Sequence, residues 1–88
     1  MNNVTKINNF NEDTSNSELV QKSQAGDKVA FEMLVHRHQD LVFSLAFKLT
    51  GNKELANDVG QEAFIRAWKA IDKFRGDSTF STWIYRIT

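Results

Sequence analysis

The chain has 88 residues, 41% of them hydrophobic, with no Cys, no Pro and 4 Gly. That is the size of one small domain. It excludes disulfides, thiolate metal sites and cysteine nucleophiles, and it favours helices over a turn-rich β fold. No apolar run approaches the ~20 residues of a membrane span, and no basic-then-apolar leader opens the chain, so a soluble cytoplasmic protein with no membrane insertion is expected. Lys and Arg number 11 against 11 Asp and Glu, for a net charge of zero. A protein that grips duplex DNA unaided is usually more basic. The balance is uneven, however: residues 1–62 carry 6 basic and 9 acidic side chains, whereas residues 63–88 carry 5 basic and 2 acidic. Such asymmetry suits a C-terminal end that faces nucleic acid on a domain held in place by something else. In so short a chain it also suits chance.

Residues 1–16 are Asn-rich, with few apolar residues, and read as a disordered tail. A docking peptide through Ile7 and Phe10 is the other reading. A helical domain over residues 17–88 is expected to follow. Ser15 and Glu18 have capping-box spacing, with Ser17 as an alternative N-cap, so a short helix through Leu19 and Val20 should end at Gly26. Asp27 can cap a second helix. Its apolar stripe is Phe31, Leu34, Val35, Leu41, Val42, Leu45, Ala46 and Leu49, and Gly51 stops it.

Asn52 can cap a third helix to about Asp72, with Leu55, Ala56, Val59, Ala63, Ala67 and Ile71 inward. Residues 73–78 suit a loop. Asp77 or Ser78 can then cap a last helix on which Phe80, Trp83, Ile84 and Ile87 make a full apolar face. No stop signal precedes Thr88, so this helix is expected to be truncated and the chain a fragment. The pattern predicts an all-α fold, a compact bundle of three to four helices.

Little in the sequence supports catalysis. His36 and His38 are two apart and point in different directions on a helix. Glu32 and His36 have ligand spacing, but nothing else converges on them, so no metal site and no cofactor are expected. His38 continues the apolar stripe and reads as a partly buried core residue. No nucleophile is paired with a base and no phosphate-binding loop is present, so no enzymatic activity is expected.

Two surface features carry more. On the third helix, Asp58, Gln61, Glu62, Ile65 and Lys69 share the face opposite Ala63 and Ala67, with Phe64 and Trp68 at its edge. A lone exposed Ile is ordinary. An Ile among aromatic and polar neighbours is also the composition of a small protein interface. The second feature is the segment from Phe74 to Arg86, which mixes aromatics, cations and hydroxyls around a loop that opens a helix. Aromatic faces stack bases and Arg neutralises phosphate. Phe80, Trp83 and Ile84 read as core, whereas Tyr85 lies off their stripe and is a candidate stacking residue.

The segment DVGQEAFIRAWKAIDKFRGDSTFSTWIYRIT closely resembles the second conserved region of bacterial RNA polymerase sigma factors, those of the compact extracytoplasmic-function (ECF) group above all. The upstream stretch GDKVAFEMLVHRHQDLVFSLAFKLTGN fits the same pattern. The likeness spans about residues 18–88. It implies a helical promoter-melting domain whose third helix docks on the β′ clamp coiled coil of core RNA polymerase. The matching positions are Asp58, Gln61, Glu62, Phe64 and Ile65, with Trp68 and Lys69 beside them. It further implies that the following loop and helix read the minus-ten promoter element, holding a flipped non-template base in a loop pocket. Extrusion costs a few kcal/mol of stacking that the pocket must recover.

By position, Phe74, Arg75, Gly76, Asp77, Ser78 and Thr79 form that loop. Tyr85 and Arg86 would contact strand or phosphate, and Phe80 and Trp83 would support the loop. The polymerase would supply much of the grip, which suits the neutral charge. An anti-sigma factor covering the same surfaces is a further partner that the likeness suggests. The alternative is a sigma-like interaction module, bound by such a regulator, that never touches DNA. Two departures stand out. Gly60 occupies a place where the family usually has a larger apolar residue, at a cost of about 1 kcal/mol unless a close helix contact uses it. The family's second DNA-binding domain is not found in the sequence.

Overall fold

The computed structural model describes residues 10–88, and all regular structure among them is helical. The elements are α1 (Asn16–Gln24), α2 (Lys28–Thr50), α3 (Lys53–Ala70), a 3-10 turn (Ile71–Lys73) and α4 (Phe80–Ile87). They form the expected bundle, with extents of 42 × 31 × 19 Å. None of these helices is long and apolar enough to cross a membrane.

Each boundary has a chemical cause. Ser15, not Ser17, caps α1 by accepting the Glu18 N–H at 3.0 Å. Gly26, at φ 97°, then turns the chain. Asp27 accepts from the N–H groups of Val29 and Ala30 and starts α2. Gly51 ends α2 in the left-handed region at φ 67°, and Asn52 caps α3 through the Leu55 N–H. The cap of α4 differs from expectation. Thr79, rather than Asp77 or Ser78, accepts the Thr82 N–H at 3.1 Å. Asp77 and Ser78 are thereby left in the loop.

The core gathers Leu19 and Val20 of α1, Ala30, Phe31, Leu34 and Val42 of α2, Ala63, Phe64 and Ala67 of α3, then Ile71, Phe80 and Ile84. Three residues expected inward lie outside it: Leu41, Leu49 and Leu55 are exposed. The last buried residue of α2 is Ala46 and the first of α3 is Ala56, so the tip of this helix pair has no third element to cover it. Gly60 is buried, and a Cβ there would run into the Phe43 ring. The close helix contact that would justify a mid-helix Gly is therefore present.

Residues 1–9 of the expected tail lie outside the described residues. Residues 10–15, most of them exposed, carry a turn ahead of α1. Asn11 accepts the Asp13 N–H on its side chain and the Thr14 N–H on its carbonyl, closing a turn. Phe10 packs against the core. Arg37 of α2 reaches this turn: Nη2 donates to the carbonyls of Asn11 and Glu12 at 2.9 and 3.2 Å, and Nη1 donates to Asn16 Oδ1 at 2.9 Å.

Candidate functional site

The loop between the 3-10 turn and α4 is held open by aromatic packing beneath it. The Phe74 ring lies 5.0 Å from that of Trp83 and 6.2 Å from that of Phe80, and Phe80 and Trp83 are 5.7 Å apart. Such tilted and edge-on pairs add specificity of geometry to the area they bury. Gly76, at φ 79°, takes the left-handed conformation at the loop's bend, where a side chain would be strained. Thr79 closes the loop as the α4 cap, its hydroxyl also donating to Thr82 Oγ1 at 3.1 Å.

A cleft of about 500 Å³ opens between this loop and the first turns of α1. Phe74, Gly76, Asp77, Ser78, Thr79 and Phe80 form one wall, and Asn16, Ser17 and Val20 form the other. On the loop's other flank a recess of about 160 Å³ brings together Lys73, Arg75 and Arg86 with Asp77, Ser78, Phe74 and Trp83. Three cations against one carboxylate make that flank attractive to phosphate. The loop residues expected at the site thus come together, with Arg75 and Arg86 on the cationic flank. Tyr85 is 49% exposed on α4 and lines neither recess.

The α1 wall was not legible in the sequence, nor was a contact that joins α1 to the start of the loop. Gln24 Nε2 donates to the carbonyl of Ile71 at 3.0 Å and to that of Phe74 at 2.8 Å. These partners stand 47 and 50 positions away, so no local pattern announces them.

His38 ties α4 to α2 from below. Its Nδ1 lies 2.7 Å from the Leu34 carbonyl, which can only accept, so Nδ1 carries the proton. Nε2 then accepts from the Ser81 hydroxyl at 3.1 Å, and the ring meets Phe80 edge-on at 4.9 Å. Burial pushes the His38 pKa below its ordinary value, and nearby Arg37 pushes it the same way. The Leu34 carbonyl acts in the opposite sense. His38 is therefore a structural core histidine.

On α3, Asp58, Gln61, Glu62, Ile65 and Lys69 are all exposed, Ile65 by 49%. Phe64 does not join them. It is 7% exposed and packs 6.2 Å from Phe43, which makes it a core residue. Trp68 is half-buried against Phe31 at 5.0 Å. Ile65, Trp68 and the edge of Phe64 border an apolar recess of about 280 Å³ with Lys28, Phe31 and Glu32 of α2. The α2 contribution was not anticipated. Glu62 and Arg66 pair at 3.2 Å on the surface, an exposed i, i+4 contact that adds little stability. A recess of about 590 Å³ along Phe43, Phe47 and Lys53 is lined by none of the candidate site residues. Among the described residues no cluster of His, Asp or Glu could hold a metal.

Residues 34–88 match the family model for Sigma-70 region 2. The chain is 47% identical over 70 residues to the RNA polymerase sigma-H factor of Pseudomonas aeruginosa, a match covering 80% of this chain and 36% of that protein. It is also 47% identical over 78 residues to the ECF RNA polymerase sigma-E factor of Escherichia coli K12, covering 89% of this chain and 40% of that protein. The chain thus spans about two fifths of the length of these curated relatives. Among solved structures it resembles an engineered region 2 of sigmaE, seen by NMR in complex with GTAAAA. The TM-score is 0.78 and the identity 42%, covering 89% of this chain and 81% of that one.

Proposed function

This chain belongs to the Sigma-70 region 2 family, and from that premise we propose that it is the promoter-melting domain of an ECF sigma factor. In this reading it docks on the β′ clamp coiled coil of core RNA polymerase through the exposed face of α3, with Gln61 and Ile65 at its centre and Asp58, Glu62, Trp68 and Lys69 around them. The loop from Phe74 to Thr79 captures one flipped base of the non-template minus-ten strand, and Arg75, Arg86 and Tyr85 hold the strand beside it.

The observation that carries the reading is the cleft between the loop and α1. It is large enough for a nucleobase, walled by the loop positions that match the family, and flanked by three cations. A base leaving the stack needs apolar or aromatic surface and polar groups at its edge, and Phe74 and Phe80 line the cleft together with Asp77, Ser78 and Thr79. The relative solved with GTAAAA bound supports single-stranded DNA as the ligand class.

The test uses the 88-residue protein with core RNA polymerase and, separately, with a random single-strand DNA pool. Binding to polymerase and selection of a short motif from the pool are expected. A folded protein that binds a regulatory partner but selects no DNA would replace this reading with the interaction-module alternative.

A further inference from the structure

We propose that Gln24, at the C-terminal end of α1, is a positioning residue that sets the width of the base-capturing cleft. The inference rests on the function proposed above. Gln24 is remote from the loop in sequence and is tied to it through backbone oxygens. Its single amide nitrogen spends both protons on backbone carbonyls, that of Ile71 at the start of the 3-10 turn that feeds the loop and that of Phe74 just after it. The Ile71 carbonyl also accepts the Phe74 N–H at 3.0 Å, so the turn is closed first by its own backbone and then fastened to α1.

The geometry gives this contact a role beyond local stability. Ser17, Val20 and Gln24 follow at spacings of three and four, which places them along one side of α1. The same rigid helix therefore supplies the cleft's far wall, through Asn16, Ser17 and Val20, and the clamp on its near wall, through Gln24. Phe74 stands at the junction. Its carbonyl is held by Gln24 while its ring lines the cleft and rests on Trp83. Gln24 is otherwise exposed, and an exposed Gln normally keeps its rotamer freedom in water. Its ordering keeps the loop in one shape before any ligand arrives, which lowers the cost of binding.

The substitution Gln24→Glu keeps size and shape but removes both donors, and it aims a carboxylate at two carbonyl oxygens. Gln24→Lys restores a donor to both. The experiment measures binding of the 88-residue protein to single-stranded GTAAAA and to its six single-abasic analogues, and takes the ratio of affinities at the most sensitive position. The unsubstituted protein is expected to show a ratio of at least ~5, the low end for one base contact. In Gln24→Glu that ratio should fall toward one, while affinity for the abasic strand and for core RNA polymerase stays unchanged. Gln24→Lys should recover the ratio even if its added charge tightens every complex.

Equal weakening of intact and abasic strands, or an unchanged ratio in Gln24→Glu, overturns the positioning role. Gln24→Ala carries the same test should Gln24→Glu fail to fold. Absence of base discrimination in the unsubstituted protein overturns the base-capture reading itself, and the inference with it.

Discussion

The Phe43 ring occupies the space above Gly60 that a Cβ would need. A residue that looks like a flaw in the third helix is the floor on which the second helix rests. Introducing a methyl there brings two opposed effects. Ala gains about 1 kcal/mol of helix propensity over Gly, and overpacking a close contact costs typically ~1–3 kcal/mol. Gly60→Ala should therefore destabilise the protein, and in a Phe43→Ala background the same change should stabilise it. A double-mutant cycle by urea denaturation measures the difference, and additivity of the two changes would contradict the contact.

Neighbouring positions on α3 should separate cleanly. Phe64→Ala removes a buried ring and should cost ~3–5 kcal/mol, enough to unfold much of a domain this small. Ile65→Ala touches a half-exposed residue and should leave the circular dichroism and melting temperature nearly unchanged, yet weaken binding to core RNA polymerase. A folded Ile65→Ala protein that binds polymerase as well as the parent would remove this face from the proposed dock.

Tyr85 stands clear of both recesses on α4, where a strand leaving the loop could meet it. Base–aromatic stacking is worth about 1–3 kcal/mol, so Tyr85→Ala should weaken single-strand binding by roughly 5- to 150-fold. Fluorescence anisotropy with a selected oligonucleotide reads the change. Retained affinity would place the strand elsewhere.

Acid should loosen the protein through His38. Its folded pKa lies below 6.5, chiefly because burial disfavours the charged ring. The unfolded chain therefore takes up the proton first as pH falls. This contribution to stability is intact above about pH 6.5 and declines as pH drops from there toward the folded pKa. Protonation also removes the Nε2 lone pair that accepts from Ser81, so the start of α4 should loosen. Thermal melts at pH 7.5 and 5.5 should differ more for the parent than for His38→Gln, which does not titrate. Equal pH sensitivity in the two would assign the effect to other groups.

The starts of the first three helices were legible because their chemistry is local. Ser15, Asp27 and Asn52 each bond a backbone N–H two or three residues ahead, and Gly26 and Gly51 sit where only a left-handed turn can end the helix. The phase of the α3 stripe was less legible. The inward stripe as read included Leu55 and Val59 and passed over Gly60. With Gly60 under Phe43 the buried series is Ala56, Gly60, Ala63, Phe64 and Ala67, and Leu55 is 53% exposed. The loop residues of the candidate site could be found from their chemistry and from the family pattern. The α1 wall and the Gln24 clamp could not, because they join segments nearly fifty residues apart through backbone oxygens that every sequence possesses. The Ser81–His38 bond spans 43 residues and is silent for the same reason.

The guanidinium of Arg37 fastens the turn that precedes α1 onto α2. It collects the carbonyls of Asn11 and Glu12 together with the side chain of Asn16, itself part of the cleft wall. Trimming the chain to its first helical residue would strip two of those three acceptors and expose the core surface under Phe10. Through Arg37, residues 11 and 12 of the stretch that reads as a tail are tied to Asn16 in the cleft wall. Shortening it should therefore be felt at the adjoining cleft, through Asn16.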